Sequence, residues 1–294
     1  MNLMKYKFIY FVLSLALILP GIYFLVTSGL RLGIDYTGGA LLEYKFAQEV
    51  DSSQLAQLII KQGVEVGQIL KSGKNTYIIR TKPVDSDKIS AIRESLTKDY
   101  NQIEEIRVEN VGPVIGNELR TKALLAVALA SLAIVLYIAF SFRKVPKPTS
   151  SWRFGIAAIV ALLHDVLIVL GVFAFLGKFF GVEIETLFIT ALLTVIGFSV
   201  HDTIVVFDRI KENLTKHIGT KFTDVANISV IQTIGRSLNT SLTVVFVLLA
   251  LLLFGGETIK WFVVALLIGI ISGTYSSIFN ATALLVWWEE KLGH

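Results

Sequence analysis

Uncharged apolar stretches alternate along this chain with short polar connections. Residues 8–30, 123–142, 237–256 and 261–288 carry no charged side chain, and 154–177 and 186–207 are apolar except for one embedded His-Asp pair each. At about 1.5 Å of rise per residue each stretch covers about 30 Å of hydrocarbon as a helix. The pattern therefore predicts six membrane spans. The first follows Lys5 and Lys7 and is longer than the apolar core of a signal peptide, with no small-residue cleavage site. It is read as an uncleaved span.

Between the first and second spans the pattern changes. Residues 31–122 are polar and mixed in charge. Alternation predicts a strand over 40–46, and Leu55, Leu58 and Ile59 at helical spacing predict a helix over 52–63. Strands follow over 64–70 and 76–80 about the turn Lys71–Asn75, then a helix over 85–100 and a strand over 103–111. This order is that of a split β-α-β, or ferredoxin-like, domain. The expected fold class is an α-helical membrane protein with six transmembrane helices and an exterior α+β ferredoxin-like domain between the first and second spans. The expected domains are 1–30, 31–118 and 119–294. Residues 222–234, with Val225, Ile228 and Ile231 among polar neighbours, predict a separate amphipathic helix on the membrane surface.

Composition sharpens this picture. Hydrophobic residues make up 54% of 294 residues, above a soluble chain's share, and the excess lies in blocks. Cysteine is absent, so no disulfide or thiolate metal site forms. The net charge of +4 matters less than its placement. Lys5, Lys7, Arg143, Lys144, Lys147, Arg209, Lys211, Lys216, Lys221 and Lys291 fall on one side of the predicted topology, against Lys178 and Lys260 in the short loops opposite. The basic side is cytoplasmic by the positive-inside rule. That places both termini inside and the 31–118 domain outside.

Candidate chemistry concentrates in the two His-Asp pairs, His164-Asp165 and His201-Asp202, which resemble an internal repeat. A carboxylate at the bilayer centre costs about 2.5–3.5 kcal/mol on insertion scales, so it serves either to pair helices or to move an ion. Asp202 is the first candidate for a proton relay, flanked by a stripe of Thr190, Thr194, Gly197 and His201. Arg236 opens the fifth span, with Asn239, Thr240 and Thr243 along its face. It either snorkels to the interface or pairs with Asp202. Asp165 suits a relay or a structural pair equally, and His201 either shuttles protons or holds Asp202. In the sixth span Gly269, Gly273, Ser276 and Asn280 form a stripe of small and polar residues suited to close helix packing. No phosphate-binding loop, metal-ligand cluster, nucleophile-base-acid set or nucleic-acid-binding patch is visible, so neither an enzyme nor a cofactor is expected.

Four stretches in order resemble one family: Leu32-Gly-Ile-Asp-Tyr-Thr-Gly-Gly39, Val111-Gly-Pro-Val-Ile-Gly-Asn-Glu-Leu119, His201-Asp-Thr-Ile-Val-Val-Phe-Asp-Arg-Ile210 and Tyr275-Ser-Ser-Ile-Phe279. They are similar to signatures of the SecD/SecF family of bacterial protein-export membrane proteins, within the RND superfamily. Lys211 stands where the family more often shows Arg. The small exterior domain points to the SecF branch. The resemblance implies a half-transporter in the cytoplasmic membrane. Its partner SecD would supply six more spans, and the pair would act beside the SecY/SecE/SecG channel. The proton gradient, with no cofactor, would drive export of a translocating preprotein. The resemblance also implies that Asp202 and Arg236 belong to the proton path. An RND-type solute exporter half and a non-transporting translocon assembly factor stand as alternatives.

Overall fold

A computed structural model describes residues 2–143, 145–146 and 149–292. Part of the basic connection 143–147, Lys144 and Lys147, lies outside the described residues. Among the described residues, ten α-helices and four strands follow in order: α1 (Lys7–Thr27), the single turn α2 (Ile34–Thr37), β1 (Gly39–Phe46), α3 (Ser52–Lys61), β2 (Val66–Gly73), β3 (Thr76–Thr81), α4 (Ser86–Tyr100), β4 (Ile103–Val111), α5 (Pro113–Ser141), α6 (Ser151–Phe180), α7 (Thr186–Lys216), α8 (Phe222–Phe254), α9 (Glu257–Tyr275) and α10 (Thr282–Lys291). A π-helical turn, Ser276–Ala281, joins α9 to α10 without a break. The chain divides into two compact units, Leu32–Leu124 and the sequence on either side of it.

The 32–124 unit is a four-stranded antiparallel sheet in the order β2-β3-β1-β4. With α3 and α4 as crossovers, this is two interleaved split β-α-β units, the ferredoxin-like arrangement expected from the pattern. Ala40, Leu42, Tyr44 and Phe46 alternate along β1 onto one face. They pack there with Leu55 and Ile59 of α3 and Ile89, Ile92 and Leu96 of α4. Asp51 caps α3 by accepting a hydrogen bond from the Ser53 backbone N–H at 3.0 Å. Both glycines of the Gly38-Gly39 pair have positive φ, 72° and 137°. A Cβ on Gly39 would lie 2.5 Å from the Thr81 carbonyl oxygen. Glycine is required there for conformation and for space at once.

The other unit is helical. Six helical stretches among the described residues are long and apolar enough to cross a membrane: Met4–Thr27, Pro113–Ser141, Ser151–Phe180, Thr186–Lys216, Phe222–Phe254 and Thr258–Lys291. α6, α7 and α9 form the buried centre, and α8 packs on α7 and α9. α1 lies against α6 and buries Ser14 and Gly21, seven residues apart on one face. α5 leaves Leu125, Leu129, Leu132, Leu136 and Phe140 exposed and buries Ile138. Beyond its end, Phe142 joins Phe154 and Phe207, with ring centroids 5.1–5.7 Å apart.

The expected surface helix over 222–234 is not a separate element. It is the first third of α8, continuous with the fifth span. The stretch contains no proline, and its apolar face is covered by protein. Val225, Ala226, Ser229 and Val230 are buried, and Asn213 of α7 donates to Ser229 Oγ at 2.9 Å and Gln232 Oε1 at 2.8 Å. A periodic apolar face does not tell lipid from a neighbouring helix, which is why the pattern misled here. α7 likewise runs on to Lys216, past the predicted end of its apolar stretch.

α1 approaches α6 glycine on glycine. A Cβ on Gly171 would lie 2.5 Å from the Gly21 Cα, whereas one on Gly155 would meet nothing within 4 Å. Gly171→Ala is therefore expected to destabilise the chain by about 1–3 kcal/mol through forced separation of the helices. Gly155→Ala on the same helix is expected to be neutral. Thermal unfolding of the two variants in detergent checks this, and equal midpoints would contradict the packing described.

Candidate functional site

Asp165 sits in mid-α6 with no exposed surface and accepts four side-chain hydrogen bonds. His164 Nδ1 and Ser272 Oγ each lie 2.8 Å from Oδ1. Ser199 Oγ lies 2.5 Å, and Ser276 Oγ 2.7 Å, from Oδ2. With Asp165 ionised, its oxygens only accept, and the proton of the first contact is on Nδ1. The donors come from α6, α7, α9 and the π-helical turn, so one carboxylate ties four segments together. Hydrogen bonds to a charged group contribute about 1.5–3 kcal/mol each, enough together to offset the cost of a carboxylate in hydrocarbon.

The small-residue stripe makes this junction possible. A Cβ on Gly273 would lie 3.1 Å from Ser199 Cβ and 3.5 Å from Asp165 Oδ2, and one on Gly269 would lie 2.2 Å from Val195 Cγ2. Glycine at both positions lets α9 approach α7 closely enough for Ser272 and Ser276 to reach α6.

Asp202 is buried as well but held differently. Its Oδ2 lies 3.5 Å from Ser241 Oγ of α8 and 3.4 Å from Thr274 Oγ1 of α9. Those two hydroxyls are 2.6 Å from each other, and Thr274 also donates to the Ile270 carbonyl at 2.9 Å. His201 Nδ1 stands 3.8 Å from Oδ1. Asp202 thus has two long, contested hydrogen bonds where Asp165 has four good ones.

Of the two readings of Arg236, snorkelling to the interface or pairing with Asp202, no ion pair with Asp202 is found among the described residues. Arg236 is exposed on α8, and among the described residues the basic side chain nearest an Asp202 oxygen is His201. The cause is helical phase. Ser237 and Ser241 share the buried face of α8, and Arg236 is turned out beside them. Thr240 also points outward, donating back to the Arg236 carbonyl at 3.0 Å, and its neighbour Ser241 is the residue that reaches Asp202. His201 and Asp202 part in the same way, with side chains 64% and 2% exposed.

A hydroxyl seam runs from Asp165 as far as Thr203, the residue after Asp202. Thr203 Oγ1 and Ser277 Oγ approach the Ser199 carbonyl at 3.1 and 3.0 Å and lie 2.8 Å from each other. Ser199 itself donates to Asp165. Sequence reading named the carboxylates but missed Ser14, Ser199, Ser241, Ser272 and Thr274. Their signal was weak: single hydroxyls in apolar runs, most visible as Ser272 and Ser276 at i, i+4. Among the described residues, no three His, Asp or Glu side chains gather in a metal-holding group.

Outside this core, the isolated chain leaves polar groups uncovered at membrane depth. Thr190, Thr194, Gly197 and His201 of α7 are exposed, as are Arg236, Asn239, Thr240 and Thr243 of α8. α7 and α8 are packed neighbours.

The chain matches two family models, "Protein export membrane protein SecD/SecF, C-terminal" over residues 91–291 and "SecD/SecF GG Motif" over residues 23–50. It is 48% identical to the protein translocase subunit SecF of Thermobaculum terrenum, over 99% of this chain and 94% of that one. It is 41% identical to SecF of Anaerolinea thermophila, again over 99% and 94%. Among solved structures, SecDF from Thermus thermophilus, a translocon-associated membrane protein, superposes with a TM-score of 0.86 at 32% identity. That match covers 99% of this chain but 39% of SecDF, so the chain spans well under half of that protein. Full-length matches at this identity, together with family models over both the GG motif and the helical unit, show that this multi-pass membrane chain belongs to the SecD/SecF family of protein export membrane proteins.

Proposed function

We propose that this chain is the SecF-type accessory subunit of a Sec protein translocase. With a SecD partner it uses the proton motive force to promote preprotein export through the SecY/SecE/SecG channel. The observation that carries this reading is the pairing of Asp202 with the uncovered stripe beside it. Asp202 is a buried, loosely bonded carboxylate one residue from the outward-facing His201, and the neighbouring helix α8 carries exposed Arg236, Asn239 and Thr240. Polar groups left open at membrane depth call for a protein neighbour. Several of the relatives carry the name SecF, and the solved SecDF chain holds more than twice the length matched here. A SecD-like partner covering α7 and α8 supplies that neighbour. Asp202 is the relay residue in this reading. Arg236, Thr240 and His201 line the interface through which its proton exchanges. Moving one charge through 100 mV releases about 2.3 kcal/mol, which a two-state bundle converts into motion.

The orientation follows the basic connections, with both termini cytoplasmic and the 32–124 unit on the far side. In support, Lys7 of α1 pairs with Glu290 of α10, so the two ends of the helical unit meet at one end of the bundle. The chain has no native cysteine. In intact cells, Lys74→Cys is expected to react with an impermeant maleimide and Lys221→Cys only after lysis. The reverse labelling contradicts the orientation.

Asp202→Asn keeps the size and most hydrogen bonding of the side chain but cannot cycle a proton. It is expected to leave membrane insertion and SecD association intact. Preprotein export from energised vesicles carrying it should fall to the level of de-energised ones. Arg236→Met, on the exposed stripe, is expected to reduce the gradient-dependent part without lowering the amount of chain in the membrane. Full gradient-dependent export with well-assembled Asp202→Asn refutes the relay. Loss of the complex instead identifies Asp202 as an assembly residue.

A further inference from the structure

The geometry points to a second proton-binding site in this chain, the His164–Asp165 pair, with Asn280 as the residue that follows its charge. The site is separate from Asp202 and does not depend on the relay assigned to it.

The hydrogen-bond inventory leads there. Asp165 has its four bonds, three from hydroxyls and one from His164 Nδ1. Four groups able to donate converge on it, an arrangement that suits the ionised carboxylate. In the proposal Asp165 is that anion and holds His164 in the Nδ1–H tautomer, the less common one in water. The lone pair of the ring is then on Nε2. Around Nε2 the inventory does not close. Ser14 Oγ lies at 3.0 Å and Asn280 Nδ2 at 3.1 Å, two donors facing one lone pair. Asn280 Nδ2 also lies 2.6 Å from Ser14 Oγ. Meanwhile Asn280 Oδ1 is buried without a partner.

Adding one proton resolves the conflict. A hydronium ion transfers its proton to the Nε2 lone pair, leaving water and an imidazolium. No other bond breaks. If the Asn280 amide turns by 180°, Oδ1 takes the place of Nδ2 without movement of the backbone. It then accepts from Nε2–H and from the Ser14 hydroxyl. Either orientation leaves one amide atom unpartnered, so the turn itself neither gains nor loses a bond there. The imidazolium beside the Asp165 carboxylate forms a pair with no net charge, in place of a lone anion in hydrocarbon.

The other groups facing the ring do not compete for the proton. From α9, the Tyr275 ring lies 6.3 Å away by centroid, with its hydroxyl donated to the Tyr10 carbonyl of α1 at 2.9 Å. The remaining neighbours of the pair are Ser199, Ser272 and Ser276 on Asp165 and Ser14 and Asn280 on the ring. Among the described residues, no lysine, arginine or second carboxylate stands within ion-pair distance of either member. Ser14, His164 and Asn280 lie, buried, beneath an apolar groove of about 390 Å³ lined by residues such as Phe11, Leu15 and Val160.

The charge state has a path to α7. Asn280 belongs to the π-helical turn, and Ser277 of the same turn bonds the Ser199 carbonyl and approaches Thr203, the residue after Asp202. π-helical turns recur where a helix must shift register at a functional site.

The test uses the full-length chain in lipid bilayers, with ¹⁵N-labelled histidine and His201, His217 and His294 replaced by Gln, so that His164 is the one histidine left. Solid-state NMR then reads both ring nitrogens. At alkaline pH the expected spectrum shows Nδ1 protonated and Nε2 bare. On acidification Nε2 gains a proton while Nδ1–H persists. Asp165→Asn should lose the Nδ1–H tautomer, and Asn280→Leu should lose the acid step. An Nε2–H tautomer at alkaline pH in the chain with Asp165 intact, or a ring whose protonation never changes, overturns the proposal. Since the measurement reads His164 alone, it succeeds or fails independently of export assays on Asp202.

Discussion

A carboxylate inside a membrane bundle must have its acceptor sites filled, and Asp165 meets that demand by drawing donors from four segments at once. Much of the helical unit follows from this. Ser199 sets the rotation of α7, Ser272 and Ser276 set the rotation of α9 and the turn after it, and Gly273 sets how near the two helices come. Lipid tails are as apolar as leucine, so burial of apolar surface does not drive these helices together. Directional hydrogen bonds and close packing at glycine supply what the hydrophobic effect supplies in water.

Against that fixed junction, Asp202 is notable for what it lacks. Both carboxylates occupy His-Asp pairs in apolar spans, and sequence alone treats them as a repeat. The surroundings separate them. One is saturated by short bonds, the other shares two long ones with a Ser241–Thr274 contact. Saturation suits a group that holds position, and sparse bonding suits one whose proton comes and goes. The histidines divide as well: His164 is buried against its aspartate, and His201 faces outward.

The strand and helix order of the 32–124 unit was legible because alternation and helical spacing each report a single buried face. The spans were legible because length and apolarity suffice to mark them. What stayed hidden was rotation. Helical phase around Ser237 and Ser241 turns Arg236 away from Asp202, and no residue pattern in α8 alone fixes which face meets α7. The same ambiguity made the start of α8 look like a surface helix. The hydroxyls that bind Asp165 come from stretches far apart in sequence, each ordinary by itself, and acquire meaning once packing places them within 3 Å of one acid.

The sheet unit's two ends continue into α1 and α5, and these spans have little buried surface: α1 buries Ser14 and Gly21, and α5 keeps a row of leucines exposed. The side chains around Asp165 lie mainly on other helices. α1 is nevertheless held along one seam, where Gly21 meets Gly171 and Ser14 reaches His164. α5 has no such seam, and its exposed row of leucines suits contact with lipid.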